Sequence, residues 1–273
     1  MGIGRPQLLN LMKPGFVIFL LLFFQSFNLQ AQTWDIGGSV GAAGYMGDLN
    51  PNNPLQVSGI SFGVFGARNF DGHWSAKLKY TFGQIAADDS RSSNPQFRQR
   101  NLSFTNILNE GALLGEFNFF NYIPEIGQNR FTPFVYLGVG IVGYNPQARY
   151  DGHVYDLRPL MTEGESKPYP GFAVTIPYGV GFKYNFSGKW NFIADVGYRN
   201  PYTDYLDDVS GNYPNKSKLT TPLAQALSDR SGEETGVYIG SPGTQRGDGR
   251  TRDTYMFFSL SISFTFISTK CYY

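Results

Sequence analysis

Apolar and polar residues alternate one by one along eight separate stretches of this chain, and that period of two governs what it can become. In WSAKLKYTF (74–82), Trp74, Ala76, Leu78, Tyr80 and Phe82 share one face, and Ser75, Lys77, Lys79 and Thr81 share the other. Successive side chains of a strand point to opposite faces, so each stretch reads as a strand with one apolar side. The others cover about 34–44, 57–69, 102–119, 131–144, 172–186, 190–199 and 254–266. Past residue 31 no segment holds a helical period over a dozen residues.

A strand with one oily face fits either a soluble sandwich or lipocalin-like barrel, or a transmembrane barrel turned inside out. Length separates them. Most stretches run to about 11–15 residues, whereas a tilted strand crosses a bilayer in roughly 9–11 and soluble strands average about 5–6. The joints after the second, fourth and sixth stretches are short (70–73, the piece around Ile123 and Pro124, and 187–189). Those after the first, third, fifth and seventh are long (about 47–56, 84–101, 145–170 and 201–252). Short periplasmic turns opposite long extracellular loops mark an outer-membrane barrel. Rings at the stretch ends, among them Trp74, Phe82, Phe117, Phe119, Tyr184, Phe186, Trp190 and Tyr198, match aromatic girdles at the lipid–water boundaries. The expected fold is therefore all-β: an eight-stranded antiparallel transmembrane β-barrel of OmpA-like type, in the outer membrane of a Gram-negative bacterium.

The first 31 residues differ from the rest. Arg5 and Lys13 precede the apolar run FVIFLLLFF (16–24), and Ala31 offers a small residue for cleavage. That order describes a secretory signal peptide, and nine strongly apolar residues fall short of the ~20 a spanning helix needs. Residues 1–31 are thus expected to be the signal peptide, and 32–273 one barrel domain with its long loop at 201–252. Loss of two cations takes the net charge from +1 to −1, so a nucleic-acid partner has no support. Charged residues make up only 16% of the chain, against about 25% in soluble domains, beside 33 Gly, 24 Phe and 18 Tyr. The single cysteine, Cys271, cannot form an internal disulfide.

An eight-stranded barrel has just enough interior for side chains, so inward charges must pair. Asp35, Glu116 and Asp195 are set against Lys77, Lys79, Lys183 and Arg199 as lumen ion pairs. Only two histidines, His73 and His153, are present, and no metal or triad spacing occurs, so no catalytic, metal or cofactor residue is assigned and no enzyme activity is expected. His153 beside Asp151 or Asp156 is the bare minimum of an acid–base pair. The long loop opens with YTDYLDDVSGNY (202–213) and closes with QRGDGRTRDTY (245–255). Its motif residues are Tyr202, Thr203, Asp204, Tyr205, Leu206, Asp207, Asp208 and Arg246. The acids could ligate calcium, but lack the EF-hand spacing; pairing with Arg246, Arg250 and Arg252, pinning the loop's two feet together, is the preferred reading. Residues 214–243 are expected to be irregular, and RGD at 246–248 matches an integrin tripeptide by three letters alone.

YTDYLDDVSGNY, the closing strand YMFFSLSISFTF, the early YMGDLNP (45–51) and the terminal Lys270-Cys271 together resemble the PorG family of Bacteroidetes outer-membrane proteins. The family's tail usually continues Lys-Cys-Pro, whereas this chain ends Lys270-Cys271-Tyr272-Tyr273. The resemblance implies a component of the type IX secretion system. Such a barrel would sit in outer-membrane lipid and associate, at its periplasmic face, with the ring of the PorK lipoprotein and PorN. Geometry then puts partner contacts on the short turns and tail, at Asp71, Gly72, Ile123, Pro124, Lys270 and Cys271. Patterning alone leaves open a generic barrel that binds an external ligand through its loops, and a narrow channel or lipid-active enzyme.

Overall fold

The computed structural model describes residues 33–124 and 129–267. The leader at 1–31, Lys270 and Cys271 lie outside the described residues. Ten strands follow in order: β1 (Thr33–Met46), β2 (Val57–Asn69), β3 (Trp74–Asp88), β4 (Ser103–Asn118), β5 (Phe131–Gly143), β6 (Pro146–Tyr150), β7 (His153–Asp156), β8 (Phe172–Ser187), β9 (Trp190–Pro201) and β10 (Thr254–Ile267). Eight of them close a ring. Going round from β1, each pairs antiparallel with the next through β2, β3, β4, β5, β8, β9 and β10, and β10 pairs back onto β1. The wall strands run for 12 to 16 residues, and closure leaves no edge strand in the ring itself.

The alternation resolves as an inverted interior. On β3, Leu78 is 65% exposed, while Lys77 and Lys79 are each 5% exposed and face the lumen. The same division holds around the ring: Ile36, Val40, Val64, Leu137, Val180 and Ile262 stand outward, and Asp35, Glu116, Thr132, Lys183, Ser261 and Thr265 inward. An apolar surface around a polar axis is the cross-section of a barrel embedded in lipid. At the short-turn end the outward rings touch one another, Trp74 against Phe117 at 4.9 Å and Trp190 against Phe264 at 5.1 Å. Tyr202 and Phe172 stand exposed at the opposite rim.

Large inward side chains are met by glycine across the wall. Tyr136 on β5 faces Gly179 on β8, which in turn pairs with Gly197 on β9. A Cβ on Gly197 would lie 2.0 Å from the Tyr136 hydroxyl oxygen, and one on Gly179 only 2.5 Å from it. The ring of Tyr136 therefore occupies space that two missing side chains provide.

Three regions expected to be loop are structured. β3 continues through Asp88 and β4 begins at Ser103, so much of 84–101 belongs to the wall or to the capped helix Pro95–Arg100. Within 145–170 lies the β6–β7 hairpin, which leans on β4 through Thr105 and Gln147. Residues 214–243 are not an irregular excursion. Thr221 caps the helix Pro222–Ser228 by accepting from the Ala224 N–H at 3.0 Å, with Pro222 at the first turn. These loops fold over the wide mouth, where Leu206, Val209 and Leu227 share a buried cluster with Ile85, Leu108, Val142 and Phe257 of the wall.

Candidate functional site

Two constellations carry the chain's polar chemistry, one inside the ring and one above its mouth. In the lumen, Glu116 on β4 lies between Lys77 on β3 and Lys183 on β8, bonded to Lys77 and at 2.7 Å from the Lys183 ammonium. Ser75 donates to it at 3.3 Å. Both ammonium groups also lie against aromatic faces, Lys77 at 4.6 Å from the Phe65 centroid and Lys183 at 4.9 Å from that of Phe134. Lys79 approaches Asp195 at 3.9 Å and donates to Ser259 at 3.1 Å.

Arg199 approaches Glu110 at 3.5 Å, and the Tyr255 hydroxyl donates to the same carboxylate at 2.6 Å. Glu110 was not among the expected lumen charges. It lies three alternations upstream of Glu116 on the same face of β4, so phasing the whole strand would have found it. Asp35 departs from expectation in the other direction. It accepts from the Asn69 amide at 3.1 Å and forms no ion pair among the described residues, because β2 lies between its strand and the lysines of β3.

Above the mouth, the motif block is drawn inward. Tyr202 stays at the rim, where Arg252 stacks over its ring at 4.0 Å. The Thr203 hydroxyl meets that of Tyr144 at 2.9 Å, and Tyr205 stacks on Tyr169 at 4.4 Å. Leu206 is fully buried, its carbonyl accepting from Asn106 at 2.7 Å. Asp207 accepts from the Tyr45 hydroxyl and from the Val209 N–H at 2.9 Å. Asp208, in the left-handed region at φ 69°, accepts from the Thr162 and Tyr169 hydroxyls, each at 2.6 Å. Asp204 accepts from Ser210 at 2.9 Å.

The expected pairing of these acids with Arg246, Arg250 and Arg252 is therefore corrected. Arg246 is buried, and its ionic partner at 2.9 Å is Glu163 of the β7–β8 loop; it also donates to the Asp208 carbonyl at 2.8 Å. Arg250 pairs with Asp248. A buried Arg246 also withdraws the RGD tripeptide from solvent. The residue that ties the loops together, Arg100, carried no motif. Its guanidinium grips Asp89 at 2.7 and 2.9 Å and reaches the carbonyls of Asp48 and Arg246 at 2.9 and 2.6 Å.

Three acids from distant parts of the sequence, Asp48, Asp204 and Asp253, place carboxylate oxygens within 4.8 Å of one another, all buried. Burial pushes Asp48 up to about 7 and Asp204 up to about 6, and raises Asp253 well above the carboxylate range, with neighbouring carboxylates adding to each. Burial likewise pushes Asp208 up to about 7, with Arg246 opposing the rise.

At the opposite end, Asp71 accepts from the His73 and Trp74 N–H groups at 2.7 Å, and the Gly72 carbonyl accepts from the Tyr122 N–H at 2.9 Å. Tyr122 reaches across to Asn191 at 2.7 Å. Ile123 is half-buried and Pro124 buried beside these turns. His73 is bonded to the Asn118 carbonyl at 2.9 Å. His153 is exposed, and Asp156 accepts from the amides of Asn145 and Gln147.

A family model described as "Domain of unknown function (DUF6089)" matches residues 14–225, more than half of the chain. No curated protein matches it. Among solved structures the chain is similar to Neisserial surface protein A, at 9% identity over 87% of this chain and 98% of that one, with a TM-score of 0.39. The outer membrane protein OprG from Pseudomonas aeruginosa aligns at 10% identity over 87% and 97%, with a TM-score of 0.43. Ail of Yersinia pestis, solved with the heparin analogue sucrose octasulfate, aligns at 10% identity over 87% and 100%, with a TM-score of 0.37.

Proposed function

The chain belongs to the DUF6089 family, and from that premise we propose that it is a non-enzymatic outer-membrane barrel that serves as an anchor, a component of the type IX secretion system holding the periplasmic PorK and PorN ring at the membrane. The observation that carries the anchoring role is the filled lumen. Lys77, Glu116 and Lys183 occupy the axis as a packed ionic cluster between Phe65 and Phe134, and the loops cover the mouth. A barrel so plugged offers its ends and its lipid-facing wall to other molecules. The secretion assignment rests on the YTDYLDDVSGNY, YMGDLNP and YMFFSLSISFTF blocks, which resemble the PorG family. Its partners would meet the short-turn end around Asp71, Gly72, Ile123 and Pro124, together with Lys270 and Cys271.

Deletion of the gene tests this directly. Cargo of the type IX pathway should then remain inside the cell, and the tagged barrel should recover the ring lipoprotein from wild-type membranes; unimpaired secretion in the deletion strain removes the assignment. A second reading, binding of an external ligand through the loops, is favoured by the packed cap on Leu206, Val209 and Leu227. It predicts a phenotype on shortening 202–253 and none on altering the turn at Asp71 and Gly72.

A further inference from the structure

Beneath the loop cap lies a concentration of carboxyl groups that, among the described residues, form no ion pair of their own. Asp48 comes from the loop after β1, Asp204 and Asp207 from the start of the loop after β9, and Asp253 from its end; all four are buried. Among the described residues none of the four forms an ion pair. Arg100 lends Asp48 and Asp207 some of its field from a distance, but its direct bonds go to the Asp48 carbonyl and to the Asp89 carboxylate. Hydrogen bonds satisfy Asp207, through Tyr45 and Val209, and Asp253 takes the Leu206 N–H at 2.9 Å. Asp48 takes the Asp248 N–H. Asp204 is 8% exposed, and its Oδ1 is buried with no hydrogen-bond partner among the described residues. A carboxylate oxygen removed from water without a donor needs a positive charge or a proton.

We propose that Asp48, Asp204 and Asp253 hold one calcium ion that clasps the first extracellular loop to both feet of the last. The three residues offer oxygens within 4.8 Å of one another. Ligands about 2.3–2.6 Å from a common calcium lie at most about 4.6–5.2 Å apart when opposed and about 4.0–4.5 Å apart when three surround it evenly, so a set within 4.8 Å needs at most a small closing motion to share one ion. Magnesium demands near-ideal octahedral geometry and dehydrates reluctantly, and zinc favours nitrogen and sulfur donors. Gly47 brings its backbone close against the cluster. A Cβ there would stand 2.0 Å from Asp253 Oδ1 and 2.3 Å from the Tyr45 hydroxyl oxygen. Three carboxylates drawn from two loops suit the weak affinity of extracellular calcium sites, about 10⁻⁴–10⁻³ M. The site is independent of the secretion role.

The test uses the full chain refolded in detergent micelles and stripped of metal with EDTA. Terbium is titrated in, with luminescence excited through Tyr45, whose hydroxyl bonds both Asp207 and Asp253. A saturable signal of one ion per barrel is expected, displaced by Ca²⁺ and not by equal Mg²⁺. Ca²⁺ should also slow tryptic cleavage of 202–253 at least fivefold. Asp204→Asn preserves shape and the Ser210 bond, and should weaken terbium binding at least tenfold while the barrel keeps its heat-modifiable gel mobility. Asp71→Asn, at the far end, should leave binding unchanged. The proposal is overturned if the wild type gives no saturable signal, if Ca²⁺ neither displaces terbium nor protects the loop, or if folded Asp204→Asn binds as the wild type does. Should Asp204→Asn not fold, Asp48→Asn replaces it under the same criteria.

Discussion

Glu116 holds two ammonium groups, Lys77 and Lys183, in a part of the barrel that water scarcely reaches. A buried ion pair adds little net stability over apolar packing, yet removing one member strands the other, at a cost of about 3–5 kcal/mol. Glu116→Gln should lower unfolding free energy by that amount in urea titrations of the barrel in lipid vesicles, followed by tryptophan fluorescence. Adding Lys77→Met and Lys183→Met to Glu116→Leu should recover most of the loss. Asp208 gives a pH signature of the opposite origin. In the folded cap it keeps its proton to about pH 7, whereas unfolded it releases it near pH 4. Between those values the folded state binds more protons, so cap stability falls as pH rises, by about 1.4 kcal/mol per unit for one group. Protease resistance of 202–253 should therefore be higher at pH 5 than at pH 8 in metal-free buffer, and Asp208→Asn should remove its share of the dependence while that of Asp48, Asp204 and Asp253 remains.

The wall strands were legible because their physics is local. Period-two alternation needs no partner to be read, and the ring formed by β1 to β5 and β8 to β10 corresponds to the eight stretches that show it. The loops were illegible for the converse reason. Helix Pro222–Ser228 is too short for a period to emerge, and its burial depends on a barrel mouth that the local sequence does not describe. The lumen set was readable as a list of inward charges, not as partners: neighbours on the ring decide those, and they gave Arg199 to Glu110 and Asp35 to Asn69. Arg100 shows the limit most clearly, since its four bonds join Asp89, Asp48 and Arg246, residues with no sequence relation to each other. Arg100→Met should release the cap while sparing the wall. Limited proteolysis should cut 202–253 at least several-fold faster, with the strand signal in circular dichroism unchanged.

As a whole the molecule is a plugged cylinder with one thick lid and one thin set of turns. Reconstituted in planar bilayers it should carry no sustained current, whereas replacing Lys77, Glu116 and Lys183 together by alanine should introduce measurable leak; steady conductance of the wild type would refute the anchor reading. The pairing of β1 with β10 runs from Thr33↔Ile267 to Met46↔Thr254, so the first strand made is zipped to the last. Contacts this remote in sequence make closure slow. Until the closing strand has been made and exported, the opening strand has nobody to hold on one side, and every greasy face waits uncovered in transit. Such a polypeptide must be escorted to its membrane as an open thread and sealed there in a single act.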